Sequence, residues 1–581
     1  MSTDESSRID GRRLTVRDLC LKCFKLGIVA QLFYRQVATH DELRHKAENQ
    51  RRWELDLPSR RGEIADVNGH PLAMNIIYWD ISTSPSLIDK RDKDELAARL
   101  ANLLDLPRDE VYAALKSENP WVQLATHVDY RVGEAIADWK AQGIICKPHL
   151  QRFYPEGSLF APVLGIVNDT GDGFYGVEGY FNQALKGSTG NRRVEQNPVG
   201  ETLPIPPLSE DPPQAGTDLV LTVDRNIQYI AEQELQRALE QFAADSGTVL
   251  VMNPQTGAIL ASASYPTYDP NDFAGTDPKL LADSSVSKMW EPGSIFKIIT
   301  WAAGLDSGTL SPGTTFYDKG ALEVGGRVIR NWNRQGYGLA TMRDGLVHSL
   351  NTVAAFASTS MGKDCFYTYL RRFGFGTLTD VDLASEGPGM MKLPGDSDWF
   401  PSELGTNAFG QGIAVTPMQM VAAASAVANR GMLMKPHIVH QFITKDAEGE
   451  AERTIQVKPM IVRGTISQQT AETLTDMLVE VVEQGATKAQ VPGYRIAGKT
   501  GTAQIPTPYG YHPVDTIASF VGYAPADDPQ FIVLVKLDIP KTAPWGSQTA
   551  APTFRAIAER LFVYLQIPPD EIRLAQRQQE P

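Results

Sequence analysis

Cysteine is scarce in this chain of 581 residues, which has four, at Cys20, Cys23, Cys146 and Cys365. Four scattered thiols do not make a disulfide framework. Cys20 and Cys23 form a lone C-x-x-C with no second ligand pair nearby, so the plainer reading is two small apolar residues on a helix rather than a zinc site. The nine histidines are dispersed, and neither H-E-x-x-H nor G-x-S-x-G occurs. A basic face is missing too: the formal net charge is -14, which argues against a nucleic-acid partner. Near the N-terminus the longest uncharged run, residues 26–34, falls well short of the ~20 residues that a spanning helix needs. What remains is an ordinary globular balance of charged and apolar residues, long enough for more than one domain.

Arg8, Arg12, Arg13 and Arg17 precede a partly apolar segment, 19–37, in the manner of a cytoplasmic flank before a membrane anchor. Lys22, Lys25, Gln31, Arg35 and Gln36 interrupt that segment. Val16, Leu19, Cys23, Leu26, Ala30, Phe33 and Val37 alternate at spacings of three and four, the stripe of an amphipathic helix. Composition alone therefore predicts a surface or partner-binding helix.

A charged stretch, 40–61, leads into a mixed region of short strands and turns that extends to about Gly200. Asn68-Gly69 and Gly171-Asp172-Gly173 are turn candidates within it. Pro204, Pro206, Pro207, Pro212 and Pro213 make 201–216 a linker. Beyond it the pattern predicts a strand at 219–223, an amphipathic helix at 226–242 and a strand hairpin at 248–252 and 258–264. A buried strand at 531–537 and a packing helix at 552–565 follow near the C-terminus. Strands at both ends with helices between them predict an α+β domain whose sheet is assembled from distant segments. The polar tail from Pro568 onward reads as frayed.

The chemistry starts at Glu291-Pro292-Gly293-Ser294-Ile295-Phe296-Lys297. A Pro-Gly turn precedes an apolar helix, and at spacing i, i+3 Ser294 and Lys297 share one face and can meet. A serine needs a base to become a nucleophile, and a lysine desolvated by apolar neighbours is one. The helix N-terminus adds a positive field and free N–H groups suited to an oxyanion. Downstream lie Ser349-Leu350-Asn351 and Lys499-Thr500-Gly501-Thr502. Serine, lysine, S-x-N and K-T-G in this order form a known catalytic set. Ser349 can relay a proton between Lys297 and the leaving group, and Asn351 can hold a substrate amide. Residues 495–497 leading into Lys499 read as an edge strand able to pair with an extended peptide. Gly501 allows close approach to the acyl group. Lys499, with the hydroxyls of Thr500 and Thr502, can receive a terminal carboxylate. The backbone N–H groups of Ser294 and Thr502 would form the oxyanion hole.

Each signal alone is weak. Ser285/Lys288 and Ser360/Lys363 are also S-x-x-K, and Ser117/Asn119 is also S-x-N. Residues 493–500 even satisfy the phosphate-loop pattern G-x-x-x-x-G-K-[ST]. A polar loop before it, and Gly501, Pro506 and Pro508 after it, argue against that reading. His348 and Glu291 read as packing or structural residues rather than bases. Asn331-Trp332-Asn333 and Tyr511 are equally groove-lining or plain loop residues.

Taken together the set resembles the class B penicillin-binding proteins, monofunctional transpeptidases of peptidoglycan synthesis. The resemblance runs over residues 59–562. It includes the stretches 247–257, 409–419 and 519–525, and, in the first half, Arg60-Arg61-Gly62-Glu63-Ile64, Arg152-Phe153-Tyr154-Pro155 and Gly176-Val177-Glu178-Gly179-Tyr180. It implies a tail and membrane-anchor helix over 1–45, a non-catalytic pedestal of the dimerisation type over 46–216, a transpeptidase domain over 217–566 and a polar tail over 567–581. It also implies that Ser294 is acylated by a D-Ala-D-Ala stem peptide, that an amine of a neighbouring stem resolves the acyl-enzyme, and that β-lactams acylate the same serine. Neither a metal nor an organic cofactor is implied. The expected location is the bacterial inner membrane, single-pass, with the catalytic domain extracytoplasmic. A polytopic glycan polymerase and other cell-wall assembly proteins are the expected partners. Pedestal length favours the division-type subclass over an elongation-type one. A β-lactam sensor or β-lactamase would share the motifs, but roughly 200 residues of pedestal argue against a single-domain lactamase. A non-catalytic scaffold is disfavoured by the intact set.

Overall fold

The computed structural model describes residues 4–57, 59–195, 209–446, 451–508 and 510–577. Pro204, Pro206 and Pro207 of the expected linker lie outside the described residues. The chain divides into two compact units, one of residues 1–59 with 187–214, the other of 60–186 with 215–581.

In the first unit a helix, Asp4–Phe33, runs through a π-turn at Tyr34–Ala38 into a second helix, His40–Arg51. Strand Arg52–Leu57 pairs antiparallel with Gly190–Glu195, which pairs with Ser209–Asp211. The first helix does not present the single expected stripe. Leu21, Phe24, Ile28, Val29 and Leu32, all off the stripe, are exposed alongside Leu19, Leu26, Phe33 and Val37 on it. At 3.6 residues per turn these positions spread apolar surface round the helix. No helix among the described residues is long and apolar enough to cross a membrane.

In the second unit a seven-stranded sheet draws on distant parts of the chain. Its order is Ala451–Gln456, Val439–Lys445, Asp218–Leu221, Ile64–Ala65, Pro71–Thr83 and Val122–Val128, with Ile144–Phe153 also paired to Pro71–Thr83. Short strands were expected between 62 and 200, yet Pro71–Thr83 has 13 residues and Ile144–Phe153 has 10. Their half-buried positions are interspersed irregularly with buried and exposed ones, so no clean alternation marks the strands in the sequence. Helices Lys93–Leu104 and Arg108–Leu115 pack Leu96, Leu100, Val111 and Leu115 onto Ile81 and Val128 of this sheet.

The three first-half motifs meet at one buried point. Glu178, fully buried, accepts from Arg61 Nε at 2.7 Å and from Arg152 Nε at 2.6 Å. Arg152 also donates to the Gly62 carbonyl at 2.8 Å. A carboxylate between two guanidinium groups is the arrangement that makes burying all three tolerable.

The elements that build the site are, in chain order, α1 (Arg225–Phe242), β1 (Ser246–Met252), β2 (Ile259–Tyr265), α2 (Lys297–Asp306), α3 (Asn351–Met361), α4 (Pro417–Ala428), α5 (Gln468–Glu480), β3 (Ala497–Thr507), β4 (Gly510–Ala524), β5 (Phe531–Asp538) and α6 (Ala550–Tyr564). The strands form an antiparallel sheet in the order β2-β1-β5-β4-β3. Side chains alternate between its two faces. Val249, Val251, Val533 and Val535 join Leu235 and Leu239 of α1 and Phe554 and Leu561 of α6 in one core. Leu250, Met252, Ile532 and Leu534 join the other core, with α2, α3 and α4. Covered on both faces, these strands read as nearly continuous apolar runs. Every residue of α4 is buried, and its N-terminus is closed by a capping box between Thr416 and Gln419.

Up to Arg577 the C-terminal tail is not frayed, and residues 578–581 lie outside the described residues. Asp570–Arg577 is a helix. Asp570 accepts from the Arg495 N–H at 2.6 Å, and Arg577 pairs with Asp528 at 2.6 Å and Asp527 at 2.9 Å. Ion pairs with distant aspartates, invisible to composition, fix a segment whose own sequence is polar.

Candidate active site

Ser294 lies in a single 3-10 turn, Gly293–Phe296, that leads directly into α2. Gly293 has φ +58, and a Cβ there would lie 2.9 Å from the Thr502 carbonyl oxygen, so the turn needs glycine. Gly293 N–H donates to the Gly410 carbonyl at 3.1 Å. These contacts seat the serine turn between β3 and the 407–412 segment.

Lys297, the first residue of α2, has 0% exposure, and Lys499 of β3 has 1%. Lys297 Nζ contacts the Ser349 carbonyl at 2.7 Å, Asn351 Oδ1 at 2.9 Å and Ser349 Oγ at 3.1 Å. Lys499 Nζ reaches the same hydroxyl at 3.1 Å and the Thr500 carbonyl at 3.1 Å. Ser349 itself has φ +54, an uncommon left-handed conformation for a serine, at the junction before α3. Burial holds the Lys297 amine well below the ordinary lysine value, and the charge of Lys499 lowers it further. Burial alone lowers Lys499 to about 7. A neutral amine at Lys297 has two N–H donors for the two carbonyl-type oxygens and a lone pair for the Ser349 hydroxyl.

Ser294 and Lys297 are adjacent on the chain's turn, but among the described residues none of the hydrogen bonds of Lys297 goes to Ser294. The amine is taken up by Ser349 and Asn351, and the Ser349 hydroxyl is the contact that both lysines share.

A cleft of about 540 Å³ opens over Ser294, with Ser349, Asn351, Thr500 and Thr502 in its lining. Lys499 lies beneath that lining rather than in it, so its charge reaches the cleft from behind Thr500. Thr502 Oγ1 accepts from the Gly546 N–H at 3.1 Å, which fixes the 545–548 loop against β3. A Cβ on Gly501 would lie 2.3 Å from Ser519 Oγ, 3.0 Å from Ile295 Cγ2 and 3.1 Å from the Pro292 carbonyl, so the glycine lets β3 close on the serine turn. β3 is the edge strand of its sheet, and Lys499 lies inside it. A phosphate loop would place a helix after that lysine, so residues 493–500 do not form one.

Sequence reasoning missed much of the wall. Trp545, Ser547, Gln548, Gln484, Gln411 and Tyr337 line the cleft. The rings of Trp332 and Trp545 meet edge-on at 5.3 Å between centroids, and Tyr337 stacks on His348 at 5.2 Å. Of the triplet 331–333, Trp332 faces the cleft, whereas Asn331 is buried and donates to Asp318 at 2.7 Å. Tyr511 donates to Glu291 instead of lining the cleft. Gln411 and Tyr337 had a local signal, a glycine on either side of each. Among the described residues no group of three or more His, Cys, Asp and Glu side chains could hold a metal ion.

Residues 247–559 match the family described as the penicillin-binding protein transpeptidase domain, and 56–221 match the penicillin-binding protein dimerisation domain. The chain is 34% identical to stage V sporulation protein D of Bacillus subtilis, over 93% of this chain and 84% of the relative. It is 30% identical to the probable peptidoglycan D,D-transpeptidase PbpC of Pseudomonas aeruginosa, over 94% of each. The solved structure of penicillin-binding protein 3 of Mycobacterium tuberculosis complexed with aztreonam is 27% identical, with a TM-score of 0.68 over 89% of this chain and 98% of that one.

Proposed function

The chain belongs to the class B penicillin-binding proteins, and from that premise we propose that Ser294 is its acylated nucleophile. It is a serine-type peptidoglycan D,D-transpeptidase that cross-links stem peptides in cell-wall synthesis and is a target of β-lactams. The observation that carries the assignment of residues is the Ser349 hydroxyl, 3.1 Å from both Lys297 Nζ and Lys499 Nζ, beside a cleft that holds Ser294.

Ser294 Oγ attacks the carbonyl between the two D-alanines. Its proton passes toward the neutral amine of Lys297, and a bond from Oγ to carbon replaces the bond to nitrogen. Ser349 hands a proton to the departing amine of D-alanine and takes in its place the one that Lys297 received from Ser294. Backbone N–H groups of Ser294 and Thr502 hold the oxyanion. Asn351 holds a substrate amide. Thr500, Thr502 and the charge of Lys499 hold the terminal carboxylate, and Gly501 lets β3 lie close to the serine. An amine of a neighbouring stem then attacks the ester and releases Ser294.

By the same reading, residues 46–216 are the non-catalytic pedestal and 217–566 the catalytic domain. The N-terminal helix holds the protein at the cell membrane beside a polytopic glycan polymerase, with the catalytic domain extracytoplasmic, and the site of action is the septum. A fluorescent penicillin is expected to label the protein, and mass spectrometry to map the adduct to the peptide containing Ser294. Ser294→Ala is expected to abolish labelling. Label that survives the substitution puts the nucleophile elsewhere, and rapid turnover of the penicillin makes the protein a lactamase instead.

A further inference from the structure

The outer part of the β3–β4 hairpin overhangs its sheet. β5 pairs with β4 only from Ile517 to Ala524, so, among the described residues, 503–508 and 510–516 have no third strand beside them. The base of the overhang is tied at Thr516, whose hydroxyl donates to the Pro544 carbonyl at 2.9 Å and whose carbonyl accepts from Ile539 N–H at 2.9 Å. Near the tip, Pro506 opposes Tyr511 and Thr507 opposes Gly510. From there Tyr511 Oη reaches Glu291, just before the Ser294 turn, at 3.0 Å from Oε2 and 3.2 Å from Oε1. Glu291 Oε1 also accepts from Gly412 N–H at 2.9 Å. On either side of this carboxylate, Trp290 N–H donates to Val415 and Gly293 N–H to Gly410.

One carboxylate thus joins the nucleophile's turn, the 410–415 segment and the tip of the overhanging hairpin. Neither Glu291 nor Tyr511 is among the residues that line the cleft. Glu291 forms no ion pair among the described residues, and its hydrogen-bond donors are a phenol and a backbone N–H. A carboxylate held in this way is costly to bury. What it gains is a directed, charge-assisted bond across a gap that no strand pairing spans.

We propose that Glu291 is a positioning residue that, through Tyr511, clasps the overhanging hairpin to the nucleophile's turn and so sets the spacing between Ser294 and the part of β3 along which a donor peptide lies. The proposal rests on the transpeptidase reading above. An extended peptide that pairs with β3 depends on that spacing along several residues. A compact β-lactam seated over Ser294 depends on it less.

The test uses the full chain and its Tyr511→Phe, Glu291→Gln, Glu291→Ala and Tyr511→Phe/Glu291→Gln variants, each checked for a wild-type thermal transition. Steady-state constants are measured with a synthetic stem peptide ending in D-Ala-D-Ala, and acylation rates with a penicillin. Tyr511→Phe is expected to raise KM for the peptide roughly tenfold, the worth of a hydrogen bond to a charged group, with kcat and penicillin acylation within about twofold of wild type. Glu291→Gln, which still offers an acceptor to Gly412 and a donor to Tyr511, is expected to recover most of what Glu291→Ala loses. The double variant is expected to be no worse than Tyr511→Phe alone. An unchanged KM in Tyr511→Phe overturns the proposal. So does a loss of kcat in Glu291→Gln equal to that in Glu291→Ala, which would make Glu291 a proton carrier. A wild-type protein that takes no penicillin at Ser294 overturns the underlying transpeptidase reading instead, so the two failures are told apart.

Discussion

Lys297 at the start of α2 and Lys499 in β3 each place Nζ 3.1 Å from the single hydroxyl of Ser349. Two buried amines converging on one oxygen cannot both keep a full charge at little cost. The arrangement therefore favours one neutral amine: burial lowers both, and the charge of Lys499 lowers Lys297 further.

Removing the shared hydroxyl is the sharpest test of this relay. Ser349→Ala is expected to slow acylation of Ser294 by roughly 10²–10⁴-fold, the usual worth of positioned proton transfer, while the protein stays folded. Stopped-flow acylation by a fluorescent penicillin reads the rate. A loss below about threefold would mean that Lys297 serves Ser294 without Ser349.

Burying Lys297 also weighs on stability, and the sign follows from its lowered pKa. Below the ordinary lysine value of 10.5 the unfolded chain binds more protons at this residue than the folded one, so its contribution to stability rises with pH. Lys297→Met is expected to be inactive yet to melt higher than wild type near pH 6. That advantage is expected to shrink as pH approaches 10. Thermal denaturation at several pH values measures it, and an advantage that grew with pH would contradict the burial cost.

Gly501→Ala brings a Cβ within 2.3 Å of Ser519 Oγ and 3.1 Å of the Pro292 carbonyl. Overpacking of this kind costs about 1–3 kcal/mol. Here it pushes β3 away from the turn that carries Ser294, so acylation is expected to fall with stability. Adding Ser519→Ala removes the nearer clash and is expected to recover part of both losses. Failure of the second substitution to recover either would show that the backbone contact at Pro292 dominates.

In the pedestal, Glu178→Ala leaves Arg61 and Arg152 buried without their shared counter-charge. Removing one partner of such a buried group costs about 3–5 kcal/mol, read as a fall in the melting temperature. Penicillin acylation per folded molecule is expected to stay near wild type, because Glu178 bonds only within the seven-stranded sheet and its neighbours. A selective loss of acylation in stable protein would mean that the pedestal communicates with Ser294.

The parts of this site that were legible in the sequence are those where chemistry and chain spacing coincide. Ser294 and Lys297 are three apart, Ser349 and Asn351 two apart, and Lys499 to Thr502 contiguous, so each local pattern names its residues. The hairpin β1–β2, the helix α1 and the strand β5 were legible because apolar period and turn residues agree. Trp545, Gln548 and Gln484 were not legible, since ordinary side chains become a wall only when loops from distant segments converge. Long strands in 71–83 and 144–153 were hidden by half-buried faces, and the terminal helix by ion pairs with Asp527 and Asp528. The reason for Gly501 was hidden for the same cause: the atoms that forbid a Cβ belong to Pro292, Ile295 and Ser519.

The strand order of the five-stranded sheet has a consequence for how the protein is made. β1 and β2 are synthesised first, yet the strand that covers the open edge of β1 is β5, close to the end of the chain. β4 and then β3 attach to β5, so Lys499 has no fixed place beside Ser349 until that last strand is present. Such long-range pairing closes late and slowly. A nascent chain or one ended before Phe531 therefore carries its serine unarmed, and is expected to take up no penicillin in a pull-down of truncated products. Arrival of β5 is thus the expected event that arms Ser294.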